Sequence, residues 1–390
     1  MAYHNTEKEN FGFVYPQKPD AELQNAYYVF KLLSNPLIVS FSSHLALFAL
    51  RMHLPISFAI KHNIFKHFCG GETLRESEEA IARLGESGIG TTLDYSAEST
   101  DSEPFFDRIK NEILGAIHYV RENPMVNNLA IKPTGLVSEN LLRKTSGGVE
   151  LSEREKQRFI AGVDRIDQIC KAGVEMEIEI YIDAEGSEVQ DAIDEIALAM
   201  MQKYNTEIAV VFTTLQMYRT DRLAFLEDLV ITSRDGGFKV GVKLVRGAYW
   251  ERESAKKQNM VYATKRDTDN AFNRALEICV ANIDNFAICN ATHNEESTRY
   301  LTEIIREKGI AKDDKRIRFS QLYGMSDHIS FTLAAEGYNV TKYLPYGKVK
   351  QVIPYLIRRA QENSSISGQM GREMAMIAEA RRRTRESSSS

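Results

Sequence analysis

The sequence predicts an α/β protein built as a (β/α)8 barrel of the TIM type, preceded by a helical N-terminal region. Two observations predict it. Short β-rich runs recur eight times, and a helical pattern follows each one. Polar and charged residues then stand just past the C-terminal ends of those runs, where such barrels assemble their sites. An open sheet with some strands misassigned is the alternative.

Taken in order, the β-rich runs are "GIGTTLD" (88–94), "LAIKPT" (129–134), "EIEIYID" (177–183), "EIAVVFTT" (207–214), "FKVGVKLV" (238–245), "FAICNAT" (286–292), "RIRFSQL" (316–322) and "NVTKYL" (339–344). Helical patterns fall at 103–122, 152–171, 187–203, 217–231, 268–283, 295–307, 326–336 and 348–363. Residues 1–87 lie outside the alternation. Their "TLRESEEAIARLGESG" is an amphipathic helix ending at glycine, and the region is placed as helices packed on the barrel. The barrel itself spans 88–364. Residues 365–390 are read as a C-terminal helix with a disordered tip.

The chain has 390 residues, 43% hydrophobic and 26% charged, which fits a soluble protein with an ample core. A net charge of −5 argues against bulk nucleic-acid binding. Its four cysteines, Cys69, Cys170, Cys279 and Cys289, form no CxxC pair and read as reduced thiols. His62, His67 and Cys69 lie close in sequence but match no zinc spacing, so no metal is expected. The N-terminus lacks the apolar core of a signal peptide. The most apolar stretch, 35–60, is broken by His44, Arg51, His53 and prolines, and reads as buried helix rather than a membrane span.

The rim residues follow from the run ends: Asp94, Tyr95 and Glu98; Lys132; Asp183 and Glu185; Gln216; Lys243, Arg246, Tyr249 and Trp250; Asn290, Thr292, His293 and Asn294; Tyr343. In "KVGVKLV", strand alternation puts Val240, Val242 and Leu244 on the helix-facing side, and Gly241, Lys243 and Val245 on the barrel interior. An inward lysine needs an acid or a ligand beside it. A solvated lysine on a misread strand is the plainer reading. In the last helix, Val349, Val352, Ile353, Leu356, Ile357 and Ala360 make one apolar stripe. Tyr355, Arg358, Arg359 and Glu362 make a second, which presents two guanidinium forks side by side. Such a pair suits a carboxylate or phosphate, and Glu362 can steady Arg359. The alternative is a solvated basic face.

These residues resemble the proline dehydrogenase family. Its motifs appear in order as "GTTLDYSAE", "AIKPTG", "IDAE", "KLVRGAYWE", "NATHNEES" and "YLPYGKVKQVIPYLIRRAQENS", across 88–364. The likeness is nearer the single-function branch, since the chain is too short to add an aldehyde dehydrogenase module. It implies a distorted barrel that binds FAD non-covalently. It also implies oxidation of L-proline to Δ1-pyrroline-5-carboxylate by hydride transfer from C5 to flavin N5, with electrons passed to a quinone. Pyrroline-5-carboxylate dehydrogenase would act downstream.

Carried over by position, the resemblance implies that Arg358 and Arg359 clamp the proline carboxylate. Glu98 would pair with Arg358 and close the site, and Glu362 would support the arginines. Lys132, Asp183, Tyr249, Leu322 and Tyr343 would line the substrate pocket. Asp183, Gln216, Lys243, Arg246, Gly247, Ala248, Tyr249, Trp250, Thr292, His293 and Asn294 would surround the flavin. Asp183 with Lys132 is the candidate proton path. Many bacterial members read Arg-Leu-Val-Lys where this chain has Lys243-Leu-Val-Arg246, a swap shared with the single-function branch. It leaves open which cation serves flavin N5.

Three rivals remain. Hydroxyproline dehydrogenase shares the fold, and that branch tends to carry a small residue where this chain has Tyr343. A Schiff-base aldolase or lyase would use Lys132 or Lys243 as nucleophile and bind no flavin. A non-catalytic amino-acid-binding barrel would bind proline without turnover. The segment 371–386, with Met374, Ile377 and Ala378 on one face and arginines after them, could touch an anionic membrane; a plain packed helix is the alternative. A bacterial origin implies a cytoplasmic protein, with or without peripheral contact on the inner face of the membrane. A eukaryotic origin implies the matrix side of the mitochondrial inner membrane.

Overall fold

The computed structural model describes residues 19–35, 64–96, 101–256, 260–353, 355–357 and 369–387. Eight parallel strands close into a barrel in sequence order. They are β1 (Gly90–Tyr95), β2 (Val126–Ile131), β3 (Glu179–Ile182), β4 (Val211–Gln216), β5 (Val240–Val245), β6 (Phe286–Ala291), β7 (Ile317–Leu322) and β8 (Val340–Tyr346). Closure comes from β8 pairing with β1, where Thr92 sits opposite Tyr343.

The described helices begin with α1 (Asp20–Leu33) and α2 (Leu74–Gly85). Around the barrel follow α3 (Glu103–Glu122), α4 (Glu139–Ser146), α5 (Glu153–Glu175), α6 (Ser187–Tyr204) and α7 (Arg222–Gly236). Next come α8 (Trp250–Ser254), α9 (Lys265–Ala281), α10 (Glu295–Glu307), α11 (Asp327–Ala335) and the terminal α12 (Gln369–Ser387). Helical turns also occupy 349–353 and 355–357. The sequence reading has no counterpart for α4 or α8. Both are short helices in βα connections, whose few turns give too little periodicity to read. It also begins β2 three residues late, because the polar pair Asn127–Asn128 masks the strand start.

Side-chain caps set several helix starts. Thr73 accepts from the Glu76 backbone N–H at α2, Thr264 from Asp267 at α9, and Asn294 from Ser297 at α10. Ser152 and Glu155 form a reciprocal capping box at α5. The main core fills the layer between barrel and helices, with Val240, Val242, Leu244 and Ile288 from the strands meeting Phe272, Leu276 and Leu301 from the helices.

The barrel interior is a separate cluster of Ala130, Tyr181, Phe212, Ala287, Cys289 and Tyr343. Phe212 can fill it because Gly241 lies beside it on β5; a Cβ there would come within 2.6 Å of the Phe212 ring. Toward the N-terminal end of the barrel, Arg318 pairs with Glu179 at 2.8 Å, and the Tyr181 hydroxyl donates to the same carboxylate at 2.8 Å.

A third cluster joins the termini. Leu23, Val29 and Phe30 of α1 meet Phe65, Phe68, Met325, Val349, Val352, Ile353, Leu356 and Ile377 of α12. Of the apolar stripe read at 349–360, Val349, Val352, Ile353 and Leu356 are buried and Ile357 is half-buried, while Ala360 lies outside the described residues. Tyr355, placed by periodicity on the arginine-bearing stripe, is buried as well. Arg358, Arg359 and Glu362, and Glu98 after β1, lie outside the described residues, as does His62.

The tail is more helical than the sequence suggests, since α12 runs through Arg381, Arg382, Arg383 and Arg385. Arg381 and Arg385 pair with Asp20 of α1, and Arg382 and Arg383 with Glu379. The apolar side of α12 packs inward through Ile377, while Ala378 is exposed. No described helix is long and apolar enough to cross a membrane. All four cysteines are free and buried. Among the described residues no cluster has the makings of a metal site.

Candidate active site

The C-terminal ends of β1, β2, β3, β5 and β8 bring five ionisable side chains together. Lys243 turns into the barrel and is only 5% exposed. Its ammonium lies 2.6 Å from Asp183 Oδ1 and 4.7 Å from the centre of the Tyr343 ring. The other Asp183 oxygen accepts from the Tyr343 hydroxyl at 2.8 Å. Lys132 approaches from β2, 3.2 Å from that hydroxyl and 3.9 Å from Asp183 Oδ2. Its own partner is Asp94, at 2.5 Å.

Electrostatics follow from this packing. Burial alone would raise the Asp183 carboxyl. Lys243 and Lys132, with hydrogen bonds from Lys243 and Tyr343, outweigh it and hold the group below the usual carboxylate range. Burial and then the Asp183 charge push the Tyr343 phenol well up, so it stays a donor. Glu185, beyond β3, is raised by burial while accepting from the Thr134 backbone and hydroxyl at 2.9 and 2.8 Å. It thereby fixes the turn that follows Lys132.

A second group forms around Arg246. Its guanidinium meets Asp269 at 2.6 Å, the Thr292 hydroxyl at 2.6 Å and the Ser297 hydroxyl at 2.8 Å, and lies 4.4 Å over the Phe272 ring. Thr292 also accepts from the Asn294 backbone N–H, so cation and cap share the N-terminus of α10. His293 Nδ1 lies 2.9 Å from Ser326 Oγ at the start of α11. Gln216 donates to the Glu185 carbonyl at 2.7 Å. Gly247 takes φ +115°, and a Cβ there would fall within 1.8 Å of the Tyr218 ring, so the backbone passes tightly over that tyrosine.

Lys132, Asp183, Lys243, Tyr343 and Leu322 therefore gather at one part of the rim. Arg246, Thr292, His293 and Asn294 gather at another, with Gln216 and Gly247 near Tyr218. Trp250 is 43% exposed, with its indole N–H 3.4 Å from the Tyr262 carbonyl, and Ala248 is exposed as well. Tyr249 lies under the Arg252 guanidinium, 5.2 Å from its ring centre.

The sequence reading places Asp94, the partner of Lys132, on the rim without pairing the two, and it has no counterpart for Asp269 and Ser297, the partners of Arg246. The Asp94 pairing was legible in principle. Asp94 sits opposite Ala130 in the β1–β2 register, so the inward position after Ala130 on β2, Lys132, is its natural neighbour. Asp269 and Ser297 lie on helices and carry no comparable signal.

The donor chemistry suits a flavin dinucleotide. A half-buried guanidinium, hydroxyls and a capped helix N-terminus match phosphates and ribityl oxygens. The Tyr218 hydroxyl and both polar atoms of the Asn290 amide are buried with no hydrogen-bond partner among the described residues.

Comparison with known proteins agrees with this picture. The profile of the family "Proline dehydrogenase" matches residues 77–372. "Proline dehydrogenase 1, mitochondrial" of Dictyostelium discoideum is 32% identical over 91% of this chain and 71% of its own length. "Hydroxyproline dehydrogenase" of Xenopus laevis is 28% identical over 91% of this chain and 85% of its own. Proline utilization A from Bdellovibrio bacteriovorus, inactivated by N-propargylglycine, superposes with a TM-score of 0.72 at 21% identity, over 92% of this chain but 39% of that much longer one. That likeness establishes the shared barrel. With the family profile covering most of the sequence, the chain belongs to the proline dehydrogenase family, whose members are flavin-dependent.

Proposed function

We propose that this chain oxidises L-proline to Δ1-pyrroline-5-carboxylate using non-covalently bound FAD, with a quinone as final acceptor. The observation that carries the reading is the shared carboxylate: Asp183 holds Lys243, Tyr343 and Lys132 around one side of the rim. FAD supplies the hydride acceptor when bound. Arg358 and Arg359 are assigned to the proline carboxylate, with Glu98 and Glu362 in support. Fixing one end of a small rigid ring is how such a site sets the position of C5. Lys132, Leu322 and Tyr343 line the pocket.

A carboxyl held below its usual range is a poor base near neutrality. Asp183 is therefore assigned as the holder of the two ammoniums and the phenol, and proline reacts in its free-amine form. Lys243, which shares Asp183 with the substrate side, is assigned to the isoalloxazine end. Arg246, bound at the N-terminus of α10 with Thr292 and Asn294, is assigned to the ribityl and phosphate end, with Gln216 and His293 between.

Two outcomes test the substrate assignment. Arg359→Met should raise KM for proline about 10- to 100-fold, the loss of one or two charge-assisted hydrogen bonds, while leaving FAD content unchanged. Steady-state kinetics beside a flavin spectrum would show it; an unchanged KM would sink the clamp. Tyr343 is the residue set against the hydroxyproline reading. Tyr343→Ser removes its bond to Asp183 and opens the pocket. It should shift the kcat/KM ratio toward trans-4-hydroxy-L-proline by roughly 10-fold or more. A wild type that already prefers hydroxyproline would move the protein to that sister activity.

A further inference from the structure

The C-terminal helix is tied to the rim of the barrel by one carboxylate. Glu373 of α12 is buried, 4% exposed, and its Oε1 accepts a 2.7 Å hydrogen bond from the Ser326 backbone N–H. Ser326 is the N-cap residue of α11 but makes no side-chain cap bond to its own helix. Its hydroxyl instead meets His293 Nδ1 at 2.9 Å. One residue thus joins α12 on its backbone side to the rim histidine on its side-chain side.

The conformation of Ser326 shows how closely it is constrained. It has φ 50° and ψ 43°, a left-handed position that disfavours residues with a Cβ. Its neighbours are held from elsewhere. Lys342 of β8, wholly buried, donates to the Met325 carbonyl at 2.5 Å and pairs with Asp327 at 2.8 Å. His328 Nε2 lies 3.0 Å from Glu295 of α10, the helix that follows His293. The loop between β7 and α11 is therefore pinned by β8, α10 and α12, and Ser326 is the point where α12 pulls.

We propose that Glu373 is a positioning residue that acts through Ser326 on His293, so that docking of the C-terminal helix and binding of the flavin are coupled. The proposal rests on the flavin reading above. A histidine hydrogen-bonded at one ring nitrogen has its tautomer and orientation set by that bond. Removing the group that sets the partner changes how the imidazole meets the cofactor. Burial raises the Glu373 carboxyl to about 7, with Asp327 pushing the same way and His328 and Lys342 opposing. A neutral amide in its place keeps the acceptor that the Ser326 N–H needs.

The test uses the full-length protein and reads the FAD dissociation constant, the flavin visible spectrum and the melting temperature for Glu373→Ala, Glu373→Gln, Ser326→Gly and the Ala/Gly double variant. Ser326→Gly keeps the backbone N–H, suits the left-handed φ, and removes the hydroxymethyl group that meets His293. Glu373→Ala should weaken FAD binding on the order of 10-fold and shift the flavin bands, a loss equivalent to one hydrogen bond. Ser326→Gly should reproduce the shift, the double variant should add little to either, and Glu373→Gln should restore both readings. Wild-type affinity and spectrum in Glu373→Ala, even with a lowered melting temperature, would reduce Glu373 to a structural tie and overturn the proposal. Should that variant be insoluble, Ser326→Gly decides: a wild-type spectrum overturns the proposal, and a shifted one supports it. A wild-type protein that takes up no flavin would instead overturn the functional reading itself.

Discussion

Replacing Asp183 should do more damage than any other single change among the described residues. Asp183→Ala leaves Lys243 buried without its counter-ion and frees Tyr343 from its acceptor. Breaking one side of a buried pair costs about 3–5 kcal/mol, so a large drop in melting temperature is expected. kcat/KM for proline should fall roughly 10²- to 10³-fold, the size seen when a preorganised charge is lost. Asp183→Asn separates the two effects: it keeps the shape and one acceptor, so it should melt closer to wild type yet lose nearly as much activity.

The pH dependence has a definite sign. The Asp183 carboxyl is held below its unfolded value, so its stabilisation is present above about pH 4, the unfolded carboxylate range. It is lost as pH falls through the depressed folded value. The stability gap between wild type and Asp183→Asn should therefore be full from pH 5 to 8 and shrink in stronger acid. A gap that widens in acid would contradict the assignment of Asp183 as the ionised holder.

The second large effect separates Lys243 from Arg246. Lys243→Met should keep its flavin but slow reduction by proline roughly 10²-fold, because Lys243 shares Asp183 with the substrate-side residues. Arg246→Met removes the partner of Asp269, Thr292 and Ser297 at the start of α10. It should weaken FAD binding about 10- to 100-fold, with reduction of the reconstituted enzyme less affected. Stopped-flow reduction and apoprotein titration read the two separately. Equal effects, or the opposite pattern, would sink the division of roles.

What was legible in the sequence was what period and register encode. Alternation in "KVGVKLV" put Lys243 inside the barrel with a requirement for an acid or a ligand, and the acid Asp183 stands there. The eight-fold alternation gave the closed barrel, and 295–307 matches α10 at both ends. Boundaries failed where polar residues hide a strand, as at Asn127–Asn128, or where a helix begins early, as at Lys265. The helix periodicity correctly buried Val349, Val352 and Leu356; Tyr355, on the second stripe, is buried too, close enough to Tyr343 for the two phenols to interact electrostatically.

The tie between Glu373 and Ser326 spans 47 positions and joins a helix to a loop residue with positive φ. No local pattern announces such a contact; it exists only once the chain has closed. The same holds for Arg246, whose three partners come from two helices and a strand end.

The central claim is that this barrel holds a flavin that proline reduces. The most direct measurement is the visible spectrum of the purified protein, reconstituted with FAD where needed, before and after anaerobic L-proline. The account predicts a flavin spectrum that bleaches with proline and poorly with trans-4-hydroxy-L-proline. A protein that stays colourless after FAD is added, or whose flavin proline leaves oxidised, would contradict it.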